Sequence, residues 1–74
     1  MRGYVVQNVL SGVFVSRIGG RLTLVHSEPA ALMFGGLDRA GEFVRECEAI
    51  YLSPFRVVEA SRADGQINAG ELLL

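Results

Sequence analysis

His26 and Cys47 are the only histidine and the only cysteine in the chain, and together they limit its chemistry. A structural or catalytic zinc needs three or four such ligands, and a nucleophile–base pair needs partners that neither residue has. Glu28 lies close to His26 in sequence, but no second imidazole or further thiol joins it. His26 therefore reads as a strand-end residue near the surface. Cys47 sits between Glu46 and Glu48, toward the end of a helical stretch. Neighbouring carboxylates and a helix C-terminus both oppose a thiolate, so Cys47 reads as a core thiol. Glu42, Glu46 and Glu48 are interleaved with Arg39 and Arg45, the pattern of a solvated helix face. Gly19-Gly20 and Gly35-Gly36 carry neither a phosphate-loop consensus nor a flanking lysine. These residue types predict a protein that is not an enzyme and takes no metal and no cofactor.

One basic set has a possible use. Arg2, Arg17, Arg21 and Arg56, with Tyr4 and Phe14, would suit stacking on single-stranded nucleic acid if they shared a sheet face. The formal net charge is −1, without the basic excess of a nucleic-acid binder.

These residues need elements to hold them. Residues 37–48 form the one stretch with a helical period. Leu37, Ala40, Val44, Cys47 and Tyr51 recur at spacings of three and four, and Phe43 widens the stripe. Gly36 is the expected N-cap, with Asp38 in the first turn where the helix dipole favours it. The helix should end between Glu48 and Leu52, ahead of Pro54. Gly41 inside it costs about 1 kcal/mol relative to alanine, and close packing on the sheet is the expected reason for it.

Before the helix, residues 4–10, 13–18 and 21–26 read as three antiparallel strands. Two-residue turns at Ser11-Gly12 and Gly19-Gly20 join them. Such turns fix the register. Leu10 then lies opposite Val13, Val15 opposite Leu24, and Arg17 opposite Leu22. One face carries Tyr4, Val6, Leu10, Val13, Val15, Leu22 and Leu24, and should take the helix. The other carries Val5, Val9, Phe14, Ile18 and Val25, which is too apolar for a plain solvated face. Ser27-Glu28-Pro29 starts a short helical turn through Ala30 to Phe34. Residues 55–60 form a fourth strand, with Phe55, Val57 and Glu59 on one side. The expected fold is α+β: a three-stranded antiparallel meander, a short helical turn, one main helix on the sheet, and a fourth strand. Residues 1–60 make the domain, and residues 61–74 make a loop with a tail ending in Leu72, Leu73 and Leu74.

The same succession resembles small accessory proteins of bacteriophages and prophages. The residues that carry it are Tyr4-Val5-Val6, Glu28-Pro29-Ala30-Ala31-Leu32-Met33-Phe34, Ala40 and Val57-Val58-Glu59. Gly35-Gly36 departs from the polar cap of that pattern, and the leucine-rich tail lies outside it. The resemblance implies a protein that binds and blocks a host protein, such as a defence component, in the manner of anti-CRISPR proteins. It also implies a bacterial host cell.

A chain of 74 residues buries only roughly 60% of its unfolded surface, so the core is small. One cysteine gives no internal disulfide, which leaves a partner subunit as the remaining support. Val5, Val9, Phe14, Ile18 and Val25, with Leu72, Leu73 and Leu74, are the expected interaction residues. Phe14 is expected at or near a homodimer interface. No apolar run reaches the ~18–20 residues of a membrane helix, and Gln7-Asn8 interrupt any signal-peptide core. The expectation is a cytoplasmic interaction protein with a homodimeric form and an unidentified host partner. A nucleic-acid-binding regulatory module and a small structural subunit acting as an oligomer stand as alternatives.

Overall fold

The computed structural model describes residues 3–60. The strands are β1 (Tyr4–Asn8), β2 (Phe14–Ile18), β3 (Arg21–Val25) and β4 (Phe55–Glu59). A 3-10 turn spans Glu28–Ala30, and one helix, α1, spans Leu37–Tyr51. The strands form one antiparallel sheet in the order β3-β2-β1-β4. This is the expected α+β fold, with the fourth strand returning beside the first.

The β2–β3 hairpin has the expected register, Val15 opposite Leu24 and Arg17 opposite Leu22. Gly19 and Gly20 make its turn with φ of +61° and +80°, a backbone that side chains rarely adopt.

The β1–β2 connection differs from the expected two-residue turn. Gln7 lies opposite Phe14, and the Asn8 N–H donates to the Val13 carbonyl at 2.8 Å. The strand therefore ends at Asn8, and residues 9–12 make a four-residue loop. Asn8 is the cause. Its Oδ1 accepts from the Leu10 N–H (3.0 Å), the Ser11 N–H (2.9 Å) and the Ser11 hydroxyl (3.0 Å). A side chain that mimics a backbone acceptor stops the ladder early. The register has moved by two residues, an even number, so the residues that remain in the strands keep their faces, while Val9 and Leu10 leave the sheet for the loop.

The segment after the 3-10 turn also differs from expectation. The turn closes at Ala30, and Ala31 is extended (φ −74°, ψ 152°). Residues 31–34 then run between β1 and β2 at the end away from their loop. The Leu32 N–H donates to Val15, and Phe34 exchanges two 2.8 Å backbone bonds with Tyr4. The wedge gives β1 and β2 backbone partners where they diverge, a stronger claim on these residues than one more helical turn. Its side chains alternate as in a strand. Leu32 and Phe34 pack on the helix side, and Ala31 packs on the other.

The helix covers the predicted face. Val6, Val15, Phe43, Cys47 and Phe55 form the main core, with Leu22, Val44 and Tyr51 packed against it. Leu37 is exposed, so the buried part of the stripe begins at Ala40. Gly36 is the N-cap residue, and Asp38 lies in the first turn. Close packing does not account for Gly41: a Cβ placed there would meet nothing within 4 Å. Gly41→Ala should therefore raise stability by about 1 kcal/mol, seen as a higher urea midpoint with an unchanged slope.

The opposite face is partly closed from within. Val5 is fully buried there among Ala31 and Ala60, and Phe14, Val25 and Val58 pack around them. No helix among the described residues is long and apolar enough to cross a membrane.

Candidate interaction surface

The side chains with chemical potential are mostly engaged in holding the fold. Arg17, on the helix side of β2, reaches α1 with one guanidinium nitrogen 3.1 Å from both Glu46 oxygens. Its guanidinium carbon also stands 5.6 Å from the Phe43 ring centre. Glu48 accepts the Phe55 N–H at 3.2 Å, joining the end of α1 to the start of β4. Arg56 lies on the outer face and donates to Gln7 Oε1 at 2.9 and 3.2 Å. The expected arginine–aromatic row is therefore not on one face. Tyr4 and Arg17 point to the helix side, while Phe14, Arg21 and Arg56 lie on the other. Arg2 lies outside the described residues.

His26 is exposed just past β3. Among the described residues no group of three His, Cys, Asp or Glu side chains is placed to hold a metal ion. A shallow cleft of about 200 Å³ opens beside α1, floored by Leu32, Phe34 and Phe43. Arg17, Arg39 and Glu42 stand around it. The Arg17 charge in it is already met by Glu46.

Cys47 is sealed in the core. Burial, then the Glu46 charge, push its thiol from the ordinary 9.0 up to about 11. Arg17 offsets part of this, and Glu48 adds to it. The neutral thiol is thus favoured in the fold. Its contribution to stability is complete below about pH 9 and is lost as pH rises through about 11. An aromatic disulfide reagent at pH 8 should leave Cys47 unmodified in the native protein and label it rapidly in denaturant.

The expected interaction residues are dispersed. Val5 is interior, while Phe14 and Val25 are half-buried beside it. Ile18 is exposed at the end of β2. Val9 is exposed, but it belongs to the β1–β2 loop rather than to a strand face. Leu72, Leu73 and Leu74 lie outside the described residues.

A different apolar group comes together at one end of the sheet. The Val9 N–H donates to the Pro54 carbonyl and Asn8 Nδ2 donates to Ser53 Oγ, each at 2.9 Å. These bonds tie the β1–β2 loop to the α1–β4 connection. The resulting apex presents Leu52 at 86% exposure, Leu10 at 77% and Val9 at 48%, with Ile50 also exposed at the helix end. Leu52 is moreover the one described non-glycine residue with positive φ (φ 53°, ψ 47°). Glycine or asparagine usually fills such a helix-ending position, because a β-carbon is disfavoured there. Residues 8–12 and 49–55 contain no charged side chain. Sequence patterning placed Leu10 inside a strand and gave no signal for Leu52, since no glycine marks the left-handed residue.

Comparison with family models, with curated proteins and with solved structures finds no match for this chain.

Proposed function

We propose that this protein is a non-catalytic protein-binding module, whose action is to occupy a surface of another protein. The observation that carries this reading is the apex. Leu52 is held in a strained backbone and exposed to water, and the loop tied to its connection presents an exposed Leu10. The left-handed turn ends α1, with the Leu52 N–H donating to the Glu48 carbonyl, but glycine would end it at less cost, and an exposed leucine in that position suits docking. The partner that fits is a protein. Nucleic acids and anionic membranes call for a cluster of basic side chains, whereas residues 8–12 and 49–55 carry no charge and adjoin a single arginine, Arg56. The flanking charges of the apex are Glu48, which accepts the Phe55 N–H, and Arg56, which donates to Gln7. An apolar groove complements that surface. The resemblance to phage accessory proteins supports the same action, the blocking of a host protein such as a defence component.

The test is affinity capture from host lysate with wild type and with Leu10→Ser. Leu10 makes no core contact, so the variant should fold normally. A protein retained by wild type and lost from Leu10→Ser is the expected result. Identical capture profiles would remove the apex from the account.

A further inference from the structure

We propose that β3 pairs antiparallel with β3 of a second copy, joining two sheets into one across a two-fold axis.

Both ends of the sheet are strand edges, but they differ in composition. β4 carries Arg56 and Glu59 and follows Pro54, the devices that keep an edge from recruiting another strand. β3 reads Arg21-Leu22-Thr23-Leu24-Val25, with one charge, at its first residue, and no proline. Its outer backbone groups have no strand partner among the described residues.

The strand also matches itself. With the axis at Thr23, Leu22 falls opposite the partner's Leu24, and Arg21 falls opposite the partner's Val25. No like charges meet, and the leucine pairs form on both sides of the axis. Leu22 and Leu24 both project to the helix side, opposite Arg17 and Val15. There α1 packs over β4 and β1, leaving Leu24 44% exposed. Pairing therefore covers apolar surface that α1 does not reach, and satisfies a row of backbone groups. It also enlarges the core of a small domain, the gain that favours two-fold dimers in short chains.

This pairing is independent of the apex, which lies at an end of the strands rather than along an edge. Light scattering on the full chain tests it, with circular dichroism to check folding. Wild type at high micromolar concentration should give twice the 8.0 kDa chain mass. Leu24→Lys, which buries two ammonium groups in the joint, should give the monomer mass with unchanged secondary structure. Arg21→Ser, which leaves the leucine pairs intact, should remain a dimer. A monomeric wild type overturns the pairing. So does a dimer that survives Leu24→Lys but is broken by Ile18→Glu, which would place the contact on the outer face. A monomer that still captures its partner through Leu10 would sink the pairing and leave the proposed function standing.

Discussion

Replacing Phe43 with alanine should remove about 3–5 kcal/mol of stability, close to all that a domain of this size holds. Phe43 is the largest buried side chain of α1. It shares the main core with Val6, Val15, Cys47 and Phe55, and its ring lies 5.0 Å from that of Phe34. It therefore joins three parts of the chain: the sheet, the helix and the wedge of residues 31–34. The Arg17 guanidinium lies over its ring, so truncation also strips the cover from the Arg17–Glu46 pair. Chemical denaturation should show the transition collapse toward zero denaturant. Leu37→Ala, on the same helix but exposed, should shift the midpoint by less than about 0.5 kcal/mol. Equal effects at the two positions would mean that the buried stripe is assigned wrongly.

Asn8→Ala should cost about 2–3 kcal/mol, large for a polar residue at the end of a strand. Asn8 is buried, and its side chain makes four hydrogen bonds. Three are accepted from Leu10 and Ser11, and one is donated to Ser53. Alanine abolishes all four, and it releases both the β1–β2 loop and its tie to the α1–β4 connection. Asn8→Asp keeps the acceptor for the loop and should lose less. Urea titration of the two variants separates these cases. An alanine variant as stable as wild type would show that the loop holds its shape without this side chain.

Asn8 also shows where reading the sequence works and where it fails. The β2–β3 register was legible because its cause is local: two glycines that supply positive φ. The β1–β2 register was not, because Ser11-Gly12 looks like a turn while the decisive side chain lies three residues earlier. The faces hold for the residues within the strands, since an even shift preserves the alternation, but Val9 and Leu10 leave them for the loop. The helix stripe was legible from its period, apart from Leu37, which the helix turns outward at its start. The wedge was hidden because its partners, Tyr4 and Val15, lie far from it in sequence. Val5 was read as surface for a related reason: the small residues that seal it, Ala31 and Ala60, are separated from it along the chain. Gly41 had been expected to allow close packing, yet it faces open space. The apex was the least legible part. It depends on two connections meeting and on a leucine in a conformation that its type does not announce.

If Leu52 is kept for binding at a cost to folding, as proposed, Leu52→Gly separates the two. Glycine relieves the left-handed backbone, worth about 1 kcal/mol, and removes a side chain that is 86% exposed. The variant should therefore melt roughly 4–8 °C above wild type. The deciding measurement is capture of the lysate partner by this better-folded protein, compared with wild type at equal loading. Loss of the partner from Leu52→Gly is the expected result. Retention at the wild-type level would contradict it.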